Sequence, residues 1–180
     1  FKNLQLYRFT RPFEHSADAL EKMLETVLFT PCGSQDMSKF GWVSPLGKGT
    51  QALVHEAAGQ LLLCARKEEK MLPSSVVKDM LEEKVEAIEA EQGRALKKKE
   101  KEALKEEILI TLLPRAFTRH SQTFLWLNPA DGYIAVDAGS AKKADDVLAL
   151  LRKCTGSLPV VPVALKNPPE ITMTEWLNGT

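Results

Sequence analysis

Four cations in the middle of the chain are spaced as one face of a helix demands. Arg94, Lys98, Lys101 and Lys105 fall 4, 3 and 4 residues apart, and at 3.6 residues per turn such positions stack above one another. Lys97 lies beside them. A stripe of this kind extends ~16 Å at ~1.5 Å per residue, long enough to follow several phosphates of a nucleic-acid duplex. From Arg94 to Arg119 the sequence holds eight bases, with Lys99, Arg115 and Arg119 completing the set, against four acids. On a helical wheel those acids, Glu100, Glu102, Glu106 and Glu107, fall outside the stripe. The segment just before it, Asp79 to Gln92, has six acids against one base. Two readings are open. The basic face is either a solvated face that pairs with the acidic helix through weak surface ion pairs, or a surface for polyanions. No aromatic residue interleaves with the lysines, which favours duplex backbone contact over single-strand stacking. No helix-turn-helix, zinc-finger or RNP pattern supports base readout.

Catalytic and metal-binding patterns are missing from the sequence. It has no phosphate loop, nucleophile elbow, metal-binding His pair or dinucleotide fingerprint. The three histidines, His15, His55 and His120, are scattered. Cys32, Cys64 and Cys154 are odd in number and widely spaced, which argues against a disulfide framework and for thiols in a reducing cytoplasm. His55 is a possible cross-strand neighbour of Cys64, and a packed pair is the simpler reading. Asp131, Asp137, Asp145 and Asp146 are explained as turn and helix-start residues. The sequence therefore predicts neither enzyme nor cofactor nor metal. Phe117, bracketed by Arg115 and Arg119, is either a core residue or an exposed anchor for self-association.

These residues need elements to position them. Leu4, Leu6 and Phe9 mark a first strand. Ser16 caps a helix whose apolar face is Leu20, Met23, Leu24, Val27 and Leu28, stopped at Thr30-Pro31. Pro31 to Gly49 is rich in Gly, Pro and Ser and contains Trp42 and Val43. Ala52 to Ala57 and Gln60 to Arg66 are strands about a Gly59 turn. After Pro73, Ser74 or Ser75 caps a long helix to about Gln92. A second helical stretch runs from Arg94 to Leu113, and Pro114 stops it. The two form a hairpin or one bent helix, according to whether Gly93 ends the first or is tolerated. Phe124 to Leu127 and Tyr133 to Asp137 form a hairpin around Asn128 to Gly132. Ser140 caps a helix through Lys153 with Ala144, Val147, Leu148 and Leu151 facing inward, and Gly156 ends it. Val160 to Leu165, flanked by Pro159 and Pro162, reads as an edge strand. The expected class is α+β: a sheet-containing base domain of residues 1–73 and 118–180, with a helical tip module, 74–117, inserted.

Composition agrees with a globular chain. Hydrophobic residues make up 44% and charged residues 27% of its 180 positions. Lys and Arg equal Asp and Glu at 24 each, so a basic surface must arise from distribution, not net charge. No apolar run is long enough to suggest a membrane span. Phe1 to Phe13 alternate and carry Lys2, Arg8 and Arg11, unlike a signal peptide. The opening residue is Phe1, not Met, so a few preceding residues are expected.

Motifs along the whole chain resemble the RdgC family of recombination-associated proteins. They are Phe1-Lys2-Asn3-Leu4, Phe29-Thr30-Pro31-Cys32-Gly33-Ser34-Gln35-Asp36-Met37 with Gly41-Trp42-Val43, and Ala65-Arg66-Lys67-Glu68-Glu69-Lys70-Met71-Leu72-Pro73. Leu112 to Phe117, Ser140-Ala141-Lys142-Lys143-Ala144, Gly156-Ser157-Leu158-Pro159-Val160-Val161-Pro162 and Thr174-Glu175-Trp176 continue the match. The resemblance implies a bacterial, nucleoid-associated protein of the cytoplasm that binds double-stranded DNA with little sequence preference. It implies a homodimer closed into a ring with a positively charged hole, which restrains RecA-promoted strand exchange, is linked to replication-fork repair and needs no cofactor. Arg94 and Arg115 are then similar to the family's DNA-facing basic residues, and Phe117 to the aromatic at its dimer contact. Lys97, Lys98, Lys101, Lys105 and Arg119 join the candidate DNA-binding set from the basic stretch itself. The family's proteins continue well past the position of Thr180 and contribute further basic residues there, so this chain corresponds to their N-terminal part. A different class of function remains open beside this one: a scaffold whose helices contact a recombination protein directly.

Overall fold

The computed structural model describes residues 2–47 and 49–163. Its described residues form a mixed α+β fold of seven strands and four α-helices. The elements are β1 (Leu4–Phe9), α1 (Ala17–Leu24), β2 (Ser38–Val43), β3 (His55–Ala57), β4 (Gln60–Lys70), α2 (Ser74–Gln92), α3 (Lys98–Leu112), β5 (Thr118–Asn128), β6 (Tyr133–Asp137), α4 (Ala141–Thr155) and β7 (Val160–Pro162). The sheet runs in the order β2-β4-β5-β6-β1-β7, with β3 also paired to β4. β7 therefore takes the edge position expected from its prolines; Leu165, expected in the same strand, lies outside the described residues, as does Phe1.

Contacts divide the chain into two compact units. The first comprises residues 1–27, 44–64 and 123–180. Here β1 lies between β6 and β7, both antiparallel, with Leu6 opposite Ala135 and Arg8 opposite both Tyr133 and Val161. Side chains alternate across a strand, and one face carries the buried Leu125, Leu127, Ile134 and Val136. The helices supply the matching surface: Leu20 and Leu24 of α1, and Ala144, Val147, Leu148 and Leu151 of α4, are buried as their spacing predicts. Both caps expected from sequence form, Ser16 Oγ accepting from the Ala19 N–H and Ser140 Oγ from the Lys143 N–H. α1 ends earlier than expected, at Leu24, because residues 25–27 tighten into a 3₁₀ turn. Leu28 is accordingly not on its apolar face. Ala58 and Gly59 form the two-residue turn between β3 and β4, both at positive φ (51° and 75°), the conformation that matches strand twist in tight hairpins.

The second unit comprises residues 28–43 and 65–122. The Gly-, Pro- and Ser-rich stretch, to which the sequence assigned no element, contains β2, with Leu28 bridged to Trp42 in parallel. Gly41 lies within that strand. A Cβ there would lie 2.5 Å from the Phe29 backbone, so glycine marks a close backbone approach, not a loop. Trp42, Ile108 and Leu113 are buried in this unit, joined by Val77, Val85 and Leu96 from the helical segments. Pro73, not Ser74 or Ser75, holds the N-cap of α2, and no side chain caps it.

Candidate functional site

The candidate cations all fall in the second unit: Arg94 to Lys105 on the α2–α3 connection and α3, Arg115 in the turn that follows, and Arg119 in β5. Gly93 decides their arrangement. It ends α2 in the left-handed region at φ 66°, where glycine carries no Cβ penalty. Arg94 to Lys97 then form a connection, and α3 begins at Lys98. The continuous helix expected from Arg94 to Leu113 does not exist, and Arg94 and Lys97 precede the helix that carries Lys98, Lys101 and Lys105. The two helices form a hairpin: Lys101 reaches Glu89 at 3.4 Å and Lys84 reaches Glu107 at 3.5 Å, an antiparallel register.

Two carboxylates build the connection. Glu89 Oε1 accepts from the Leu96 N–H at 2.8 Å, which seats the Leu96 side chain in the core. Glu100 accepts from the Lys97 N–H at 2.7 Å and from both terminal nitrogens of Arg94, at 3.0 and 2.6 Å. These bonds hold the Glu100 carboxyl at a pKa of about 2, the Arg94 hydrogen bonds being the largest cause and the Lys97 N–H the next. Glu89 is likewise held below its ordinary value, chiefly by the Leu96 N–H. Burial of the two turn carboxylates opposes both effects.

The expected separation of acids from the basic stripe is thus corrected. Arg94 is bound by Glu100, Lys101 by Glu89, and Lys98 lies 3.9 Å from Glu102. The helical wheel missed the first two pairs because Arg94 left the helix and Glu89 came from the neighbouring one; Lys98 and Glu102 are i,i+4 neighbours on α3, so Glu102 lies at the edge of the stripe. Among the described residues, Lys97, Lys99, Lys105, Arg115 and Arg119 have no ion pair, and all five are exposed. Lys97, Lys98 and Lys99 also stand at the start of α3, the positive end of its dipole, where cations are unfavourable unless an anion is near.

α3 ends at Leu112, where Pro114 was expected to stop it, and residues 113–115 follow as a 3₁₀ turn through that proline. Arg115 ends that turn. Phe117 follows at 84% exposure, which removes the core reading. Met71 and Met37, each more than half exposed, border the same segment: the Met71 N–H donates to the Phe117 carbonyl, and the Lys70 N–H to that of Met37. Met37, Met71 and Arg119 line a surface groove of about 460 Å³. His120 Nδ1 lies 3.5 Å from the buried Glu68. None of these neighbours was evident from sequence, since strand register brings them together.

Catalytic signals remain sparse in space. His55 stands opposite Leu62, not Cys64. Asp137 receives the Lys2 and Asn3 N–H groups, and Asp145 the Tyr7 hydroxyl, so both serve structure. Cys32, whose thiol donates to the Glu68 carbonyl, is pushed up in pKa, mostly by burial, which disfavours a reactive thiolate. Among the described residues no group of three His, Cys, Asp or Glu side chains is placed to hold a metal ion. Nor is any described helix long and apolar enough to cross a membrane.

Comparison with known proteins supplies the lineage. A family model described as "Putative exonuclease, RdgC" matches residues 1–180. The chain belongs to the RdgC family. It is 79% identical over 179 residues to the recombination-associated protein RdgC of Tolumonas auensis, and 77% identical over 178 residues to that of Aeromonas hydrophila. The RdgC protein of Psychromonas ingrahamii is 59% identical over 177 residues. Each match covers 98–99% of this chain and 59% of the relative, so the chain spans well under two thirds of those RdgC proteins.

Proposed function

We propose that this chain is a non-catalytic, recombination-associated module that binds duplex DNA through its phosphates with little sequence preference. The observation that carries this reading is a set of five exposed cations that have no ion pair among the described residues: Lys97, Lys99 and Lys105 on the hairpin, Arg115 in the turn after it and Arg119 at the start of β5. Unpaired cations in water are hydrated at no cost and are ready to replace the counterions condensed on a duplex. Arg94, Lys98 and Lys101 add to the set when their carboxylates yield. Family membership supports a role in recombination. On this reading the protein acts as a ring-shaped homodimer, associates with the nucleoid and restrains RecA-promoted strand exchange by occupying the DNA. Phe117, exposed beside Met71, is the anchor of the dimer contact.

Binding to linear duplexes of unrelated sequence across a salt titration tests the proposal. Similar affinities and a steep common salt slope are expected; preference for one sequence excludes backbone-only recognition. The family description makes nuclease activity the competing reading, and the same duplexes, end-labelled and incubated with divalent metal, are expected to stay intact. The exposed Phe117 also suits direct contact with a recombination protein. Relief of strand-exchange inhibition by added duplex supports occupancy of DNA, whereas persistent inhibition supports that contact.

A further inference from the structure

Glu100 occupies the position an anionic ligand would take. Its carboxylate accepts both terminal nitrogens of Arg94 in a fork and the Lys97 N–H at the start of α3. A guanidinium fork and a helix-start N–H are the donors that recognise a phosphate. Lys97, Lys98 and Lys99 open the same helix; Lys98 lies 3.9 Å from Glu102, whereas Lys97 and Lys99 have no ion pair among the described residues, so Glu100 is the acid that holds the guanidinium fork. The geometry points to Glu100 as a built-in competitor for phosphate, which holds Arg94 in the free chain and lowers its affinity for DNA. This inference rests on the DNA-binding reading and specifies its regulation.

A competitor and a scaffold make opposite predictions. If Glu100 served only to aim Arg94 at the duplex, its loss would weaken binding. As a competitor it must leave Arg94 before a phosphate can take its place, and its loss strengthens binding. Glu100→Gln is the informative change. The amide keeps an oxygen that can accept the Lys97 N–H, and removes the charge that holds the guanidinium. Glu106→Gln provides the control: it removes the same charge from the same helix at an exposed residue that has no ion pair among the described residues.

The experiment measures duplex affinity for the wild-type chain, Glu100→Gln, Glu106→Gln, Arg94→Gln and the Arg94→Gln/Glu100→Gln double variant, with circular dichroism confirming the fold of each. Glu100→Gln is expected to bind roughly three- to fivefold tighter, the range spanned by a good exposed ion pair. Glu106→Gln should move affinity less, and Arg94→Gln should abolish the gain. Weaker or unchanged binding by folded Glu100→Gln overturns the inference, as does an equal gain in Glu106→Gln or a gain that survives without Arg94. Should Glu100→Gln lose its fold, the Arg94 side-chain Nε–H signal decides instead: it must shift when a short duplex is added to the wild-type chain, and a stationary signal in a chain that binds overturns the inference. A wild-type chain that binds no duplex even at low salt removes the DNA-binding reading and this inference with it; the other negative outcomes leave that reading standing.

Discussion

The Met71 N–H donates a 2.7 Å hydrogen bond to the Phe117 carbonyl, fixing the backbone behind an aromatic ring that is 84% exposed. A large apolar side chain on an ordered backbone has little left to lose in entropy when a partner covers it. Phe117→Ala is therefore expected to leave unfolding stability within about 0.5 kcal/mol, as surface substitutions do. Self-association should weaken by roughly 30-fold or more, as for a hot-spot aromatic. Sedimentation at several concentrations, beside a urea melt, separates these effects. Unchanged association would remove Phe117 as an anchor of self-association.

The Glu100 carboxyl gives the hairpin turn a definite pH dependence. Its pKa falls from an ordinary 4.5 to about 2 through the Arg94 and Lys97 hydrogen bonds. A depressed folded-state value means that the unfolded chain takes up the proton first as pH drops. The stabilisation is thus fully present above about 4.5 and is lost as pH falls through about 2. Carboxyl carbon shifts should show Glu100 titrating well below the ordinary 4.5, and Arg94→Gln should return it toward that value. A Glu100 midpoint near 4.5 in the wild-type chain would mean that the fork is not formed in solution.

The ends of α2 and α3 show why the site was only partly legible in the sequence. Periodicity alone placed Arg94 on a helix with Lys98, since 94, 98, 101 and 105 fit helical spacing equally well whether or not the helix is continuous. What breaks it is Gly93 at positive φ, together with Glu100 three residues after Lys97. A carboxylate at that spacing usually follows Ser, Thr or Asp in a capping box; with Lys at the cap, the signal was hidden. Strands bearing polar residues were foreshortened for a related reason. β5 starts at Thr118 instead of Phe124, and β4 extends to Lys70 instead of Arg66, because Thr-Arg-His-Ser-Gln and Lys-Glu-Glu-Lys lack the apolar alternation that identifies a half-buried strand. Where apolar spacing was strong, as in α4, the helix and its buried residues were both readable; in α1 the start and Leu20 and Leu24 were, but not the early end at Leu24.

Glu21 performs work that no sequence pattern announced. Its two carboxylate oxygens accept from the N–H groups of Leu53 and Val54, each at 2.7 Å, and so bind the segment before β3 to α1. Leu53 and Val54 are buried, and their N–H groups would face a desolvation cost if the carboxylate were removed. Glu21→Ala is expected to destabilise the chain by about 2–4 kcal/mol, allowing for charged-acceptor bonds in a partly exposed setting. Glu21→Gln should cost less, because its oxygen still accepts one of the two bonds. Urea denaturation of the three chains is the test, and an Ala variant as stable as wild type would show that water replaces the carboxylate without loss.

Lys105 and Arg115 separate the contribution of charge from that of ion pairing. Both are exposed and lack an ion pair among the described residues, whereas Lys101 is bound to Glu89. A cation that meets a phosphate releases about 0.9 of a counterion in duplex DNA. Lys105→Gln and Arg115→Gln should each flatten the log–log salt slope by about 0.9 and weaken all duplex sequences alike. Lys101→Gln should weaken binding less at the same salt, since part of the cost of its phosphate contact is the loss of Glu89. The comparison is made by fluorescence anisotropy on one labelled duplex at four or more salt concentrations. If Lys105→Gln and Arg115→Gln left the slope unchanged, these two cations would be part of a solvated face, and the polyanion surface would have to lie on other residues.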